Sequence, residues 1–140
     1  MSFIGKKTWR VKGANVTSIT LHRQTVENPT VIWDRVKVTL SVEDARINVG
    51  SNATISYHAI YGYDGEAFSG SVILNDTIFS QDTIGKRGYK VLGLVDDKYQ
   101  LTEIVSNEIY IIFDRIKAEY TIETLSLGGV RVMVNTYFEY

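Results

Sequence analysis

The chain has 140 residues, 44% hydrophobic and 22% charged, with one proline, two histidines and no cysteine. This is the composition of a folded globular protein, and a chain of this length buries a real core without disulfide or metal staples. The absence of cysteine excludes disulfide frameworks, Cys-ligated zinc, iron–sulfur clusters and thiol nucleophiles. Fifteen basic against sixteen acidic residues leave no electrostatic footprint for nucleic acid or an anionic membrane.

From the N-terminus, Met1 to Lys7 hold no apolar stretch long enough for a signal-peptide core, and no later segment approaches the ~20 apolar residues of a membrane span. The expectation is a soluble chain, either cytosolic or a processed piece of a secreted protein. Three glycosylation-type triplets begin at Asn15, Asn52 and Asn75, whereas Asn28-Pro29-Thr30 is spoiled by its proline. Such triplets also arise by chance in Thr-rich strands.

Helical periodicity is scarce and alternation is common. Val36, Val38, Leu40 and Val42 alternate with Lys37, Thr39, Ser41 and Glu43, which predicts a strand with one buried and one wet face. Ala53–Tyr61, Ser71–Leu74, Tyr89–Leu92, Tyr99–Val105 and Glu108–Phe113 also read as short strands rich in β-branched and aromatic residues. Asp64-Gly65 suits a type I′ hairpin turn, Asn75-Asp76 and Ser106-Asn107 tolerate left-handed backbone, and Gly85 to Gly88 is expected to frame a connection. The pattern predicts an all-β sandwich or barrel.

Laid over itself, the chain repeats. Val31-Ile32-Trp33-Asp34-Arg35-Val36-Lys37-Val38 returns as Ile111-Ile112-Phe113-Asp114-Arg115-Ile116-Lys117-Ala118, a displacement of 80 (113 − 33). Ile4 to Gly13 returns as Ile84 to Gly93 in the same register, with matching glycines, basic residues and aromatic position; past Gly50 the alignment slips. Convergent β patterning alone would not reproduce Asp-Arg-hydrophobic-Lys. A period of 80 fits one immunoglobulin-like sandwich, somewhat below the ~100 residues of the antibody type. Residues 1–33 then form the C-terminal half of one repeat, 34–113 a complete repeat and 114–140 the N-terminal half of a third. The expectation is an all-β array cut out of phase with its own boundaries, with incomplete repeats at both ends.

Asp34-Arg35-Val36-Lys37-Val38, then Ala45 to Gly50, then Tyr63 to Asn75 resemble the tandem immunoglobulin-like repeats of large archaeal cell-surface proteins. Gly65 to Leu74 is also similar to the Gly-x-Pro-Val-x-Gly-x-Val-x-Leu hairpin of bacterial immunoglobulin-like and macroglobulin-type domains, with Ala67 and Phe68 in place of proline and valine. The resemblance covers residues 34–113 and, through the repeat, most of the rest. It implies an extracellular spacer or assembly module with no catalytic residues to carry over.

Trp33-Asp34-Arg35 and Phe113-Asp114-Arg115 fall where one sandwich hands over to the next. The aromatic can plug a core, and an Asp-Arg pair can hold the junction as a stiff hinge by a charge-assisted hydrogen bond. The alternative is two solvated side chains at a strand end, worth at most ~1 kcal/mol. Lys6-Lys7 and Lys86-Arg87 are expected in turns that discourage edge pairing. No catalytic constellation emerges. His22 and His58 lie in alternating segments without a nucleophile elbow, and Glu43-Asp44 would point to opposite faces of a strand. Asp96-Asp97 suits a loop calcium site only weakly, and no cofactor or metal is expected.

Half a sandwich cannot bury its own apolar face. Trp9, Val11, Ile19 and Leu21 at one end, and Ile122, Val132, Val134 and Phe138 at the other, need partners. Strand donation between chains would supply them, giving a homo-oligomer through the terminal half-repeats; packing of each half on the central unit is the other possibility. The expected role is therefore a non-enzymatic structural module of an extracellular surface protein. The alternative is an adhesive domain that binds a surface protein or glycan through its loops and through Tyr61 and Tyr63.

Overall fold

A computed structural model describes residues 3–10 and 28–140 of the chain. The described residues form an all-β, sandwich-like architecture with no helix. The strands are β1 (Gly5–Thr8), β2 (Thr30–Trp33), β3 (Val36–Val42), β4 (Arg46–Asn48), β5 (Ile55–Tyr61), β6 (Gly70–Leu74), β7 (Gly85–Tyr89), β8 (Val91–Asp96), β9 (Ile104–Ser106), β10 (Ile109–Asp114), β11 (Ile116–Thr124) and β12 (Val130–Phe138). No helix among the described residues is long and apolar enough to cross a membrane.

Strands β3 to β10 make a central unit from the sheets β5-β3-β9 and β4-β10-β7 and the pair β6-β8. The alternation in β3 sets its register: Val36, Val38 and Leu40 are buried while Lys37, Thr39 and Ser41 are exposed, and a one-residue slip would invert both sets. Two apolar clusters fill the unit. Val36, Val38, Leu40 and Tyr61 anchor the first, with Val72, Leu94 and Leu101 packed against them. Ala53, Tyr89, Ile111 and Phe113 anchor the second, with Val42, Ile55 and Phe79 around them. One polar pair is buried beside the first cluster, where the Tyr61 hydroxyl donates to Asp96 Oδ1 at 2.7 Å.

Several expectations are corrected. Gly85 to Gly88 is not a connection but most of β7, paired with β10, so Lys86 and Arg87 lie on a strand, as Lys6 and Lys7 do on β1. The Tyr110 ring lies over Gly88, where an added Cβ would come within 3.0 Å of it, and Lys86 Nζ sits 4.1 Å from the centre of the same ring. The single strand expected over Tyr89–Leu92 is two, because the chain changes sheets at Lys90. There the Asn75 side chain accepts the Lys90 N–H at 2.8 Å and donates to Gly88 O at 3.2 Å. The strand expected over Tyr99–Val105 shrinks to β9, because the Asp96 carboxylate captures the N–H groups of Lys98, Tyr99 and Leu101 and holds that stretch as a loop. At Asp64-Gly65 only Gly65 has positive φ (76°), so the turn is not type I′, which needs both residues left-handed; Tyr61 N donates to Glu66 O across a longer loop.

Outside the central unit lie the pair β1–β2 and the hairpin β11–β12, and both repeat pairings found inside it. Gly5↔Trp33 and Lys7↔Val31 match Gly85↔Phe113 and Arg87↔Ile111, each at a displacement of 80. Val36↔Tyr61 and Val42↔Ile55 match Ile116↔Phe138 and Ile122↔Val132, at 80 for the first strand and 77 (138 − 61) for the second. The difference of three lies in the connection. The central unit carries β4 there, whereas β11 and β12 are joined by a tight turn in which Gly128 N donates to Leu125 O at 3.0 Å and Gly128 has φ 83°.

Candidate functional site

The two Asp-Arg steps are junctions of similar construction. Asp34-Arg35 separates β2 from β3, and Arg115 alone separates β10 from β11. In each, the aspartate Oδ1 accepts the backbone N–H of the following arginine, at 2.7 Å for Asp34 and 2.8 Å for Asp114. The arginine carbonyl then accepts an N–H from just past the paired strand: Gly62 N to Arg35 O at 2.8 Å and Glu139 N to Arg115 O at 3.1 Å. Asp114 is almost wholly buried and its Oδ1 also accepts the N–H groups of Glu139 and Tyr140, at 3.1 and 3.0 Å.

The expected side-chain bond between neighbouring Asp and Arg is not how these junctions are made. Adjacent residues in extended chain point apart, so each guanidinium turns elsewhere, Arg35 to Glu103 at 3.8 Å and Arg115 to Glu139 at 3.1 Å. Arg46 from β4 completes the second junction. It approaches Asp114 Oδ2 at 3.6 Å, an ion pair too long for a hydrogen bond, and lies 4.4 Å over the Phe138 ring. Asp44, Arg46, Asn48, Asp114 and Phe138 line a groove of about 400 Å³ between central unit and hairpin. Gly62, Glu103, Arg46 and Glu139 were not legible as junction residues, because their roles depend on where strand ends meet.

The aromatics of the junctions differ sharply. Phe113 is fully buried, whereas Trp33, its counterpart at 80, is 43% exposed. The same contrast holds for Trp9 against buried Tyr89 and Val31 against buried Ile111. On the hairpin, Phe138 is 54% exposed where Tyr61 is 1%, and Ile116 and Tyr120 are exposed where Val36 and Leu40 are buried. Ile122, Val132 and Val134 share that exposed face. Val31, Ile116 and Tyr120 belong with the expected assembly residues; the displacement itself is the signal that finds them. Val11, Ile19, Leu21, Asn15 and His22 lie outside the described residues.

His58 is exposed in mid-strand on β5. Burial alone would raise the Asp96 carboxyl, but hydrogen bonds from Leu101 N–H, the Tyr61 hydroxyl and the Lys98 and Tyr99 N–H groups outweigh it and hold it below the ordinary carboxylate value. Both Asp96 oxygens are thus engaged within the protein, and among the described residues no group of three or more His, Cys, Asp or Glu side chains is placed to hold a metal. Asn52 is exposed beside Ala53, while the Asn75 amide is spent on the sheet-crossing corner. Tyr61 is a core residue, so a tyrosine-based surface falls instead to Tyr63 and Tyr99. With Ile32, Asp34 and Asp64 they line a hollow of about 310 Å³. No family model matches the chain, and no curated protein or solved structure matches it.

Proposed function

We propose that this protein is a non-enzymatic structural module of an extracellular surface protein. It consists of one complete immunoglobulin-like repeat (34–113) flanked by the C-terminal half of another (1–33) and the N-terminal half of a third (114–140). On this reading the flanking halves of different chains complement each other, so the module acts as a self-assembling unit or spacer, and the backbone clamps at Asp34 and Asp114 make the junctions stiff. The observation that carries the proposal is positional: side chains whose counterparts form the core of the central unit stand exposed on β1–β2 and on β11–β12, in strand pairings of the same register. Apolar faces of that kind gain from association. The extracellular setting rests on the resemblance to surface-protein repeats.

The hollow beside Tyr63 and Tyr99 favours a second role, adhesion to a glycan or protein, since tyrosines offer apolar area with a polar tip. Sedimentation of the 140-residue chain separates the two. Self-assembly requires a mass above 15.8 kDa that falls to the monomer value when residues 114–140 are removed. A fully folded monomer at every concentration, binding glycans through Tyr63, would establish adhesion instead.

A further inference from the structure

We infer that Asn52 carries an N-linked glycan whose first sugar lies in the groove between central unit and hairpin. This rests on the extracellular setting proposed above and names a modification of that surface. Two glycosylation-type triplets fall among the described residues, Asn52-Ala53-Thr54 and Asn75-Asp76-Thr77, and the structure separates them. At the first the chain runs extended: Asn52 bridges to Ser80, and Ala53 N donates to Phe79 O at 2.8 Å. Ala53 is buried in the second apolar cluster while Asn52 and Thr54 are exposed, as alternation along extended chain requires. Amide and hydroxyl therefore stand on one side, anchored by the alanine between them, and no hydrogen bond among the described residues engages the Asn52 amide. At Asn75 the opposite holds. Its Nδ2 donates to Gly88 O at 3.2 Å and its Oδ1 accepts the Lys90 N–H at 2.8 Å, so the nitrogen that must react faces the backbone of the sheet-crossing corner. Ile78 N donates to Asp76 Oδ1 at 2.8 Å, and the chain bends at Asn75 and Thr77.

The surroundings of Asn52 suit a sugar. With Asp44, Arg46, Asn48, Ser51 and Phe138 it lines the groove of about 400 Å³, within the ~300–1,000 Å³ of small-ligand sites. Carboxylate, guanidinium, amide and hydroxyl groups together accept from and donate to sugar hydroxyls, and the exposed Phe138 ring offers apolar surface to a sugar's C–H face. Asp114 Oδ2, also in the lining, is buried and accepts no hydrogen bond among the described residues, since Arg46 stops at 3.6 Å. A sugar hydroxyl or acetamido N–H is the kind of donor it lacks. In the transfer, Asn52 Nδ2 attacks the anomeric carbon of a lipid-linked glycosyl diphosphate held by a separate transferase. A C–N bond forms, the C–O bond to the diphosphate breaks, the lipid diphosphate leaves as its anion, and the amide proton passes to a base of the transferase.

The test uses the protein isolated from the cells that make it. Peptide mass spectrometry should find added sugar mass on the peptide bearing Asn52 and none on the peptide bearing Asn75, and Asn52→Gln made in the same cells should lose it. In the glycosylated chain, amide exchange at Glu139 and Tyr140 should be severalfold slower than in Asn52→Gln, because the sugar covers the groove beside them. Labelling of intact cells with a membrane-impermeant amine reagent separates this inference from the reading it rests on. A labelled chain with a bare Asn52, or with sugar at Asn75 instead, overturns the inference and leaves the extracellular setting standing. A bare chain that stays unlabelled overturns both, and sugar on Asn52 with unchanged exchange overturns its seating in the groove.

Discussion

Asp96→Asn tests whether the carboxylate hub organises the central unit. Oδ1 accepts the Tyr61 hydroxyl at 2.7 Å and the Lys98 and Tyr99 N–H groups at 3.0 and 3.2 Å, and Oδ2 accepts Leu101 N–H at 2.9 Å. The amide keeps one carbonyl oxygen, weakens the three bonds to it by removing the charge, and sets an NH₂ against the Leu101 N–H. Hydrogen bonds to charged groups contribute about 1.5–3 kcal/mol each, not additively, so the loss should be about 2–4 kcal/mol. For a unit of this size that lowers the melting temperature by roughly 10–25 °C. The folded-state carboxyl lies below its unfolded value. Its contribution is therefore fully present above the unfolded value of about 3.9 and is lost as pH falls through the lower folded value. Thermal unfolding followed by far-ultraviolet circular dichroism at pH 7 and at steps down to pH 2.5 reads both effects. Asp76 is also held low, first by the Ile78 N–H and further by Arg87, and contributes its own acid dependence to both chains, so the decisive quantity is the difference between them. A variant that melts within ~2 °C of the native chain at pH 7, or keeps the full native acid slope, would refute the hub.

Phe113→Ala should cost about 3–5 kcal/mol of central-unit stability in urea unfolding, whereas Trp33→Ala, at the equivalent but exposed position, should leave that transition almost unmoved and reduce the sedimenting mass instead. Asp114→Ala strips an acceptor from the N–H groups of Arg115, Glu139 and Tyr140. Amide exchange at Glu139 and Tyr140 should accelerate roughly fivefold or more, corresponding to a loss of about 1–3 kcal/mol at that contact, while exchange in β3 changes little.

Local pattern made the strands legible where one face is buried and one is wet. Val36 to Val42 is the clearest case, because its alternation is the physical cause of its register. The pattern failed where a strand's character came from its neighbours. Gly85 to Gly88 carries two glycines and two basic residues, and it is a strand because β10 supplies the ladder and Tyr110 covers Gly88. Tyr99 to Val105 has the composition of a strand, yet one buried carboxylate 35 residues after Tyr61 diverts its N–H groups. At the junctions the important residues could be read from the repeated Asp-Arg, but not their chemistry, since a repeated dipeptide does not say that the aspartate binds backbone while the arginine turns away.

The division of labour at the junctions bears on how such a module transmits orientation. Only Arg115 intervenes between β10 and β11, and its carbonyl together with the Asp114 carboxylate holds the backbone at the end of β12. Backbone clamps of this sort tolerate change in surface side chains, because the N–H groups they bind are present in every residue except proline. The apolar faces are different, since any fit they make depends on side-chain volume. If association follows that fit, orientation along the chain is set by backbone and partner choice by side chains. Substitutions such as Trp33→Ala would then alter assembly while leaving the angle between central unit and hairpin intact, whereas Asp114→Ala would loosen that angle while sparing the apolar faces.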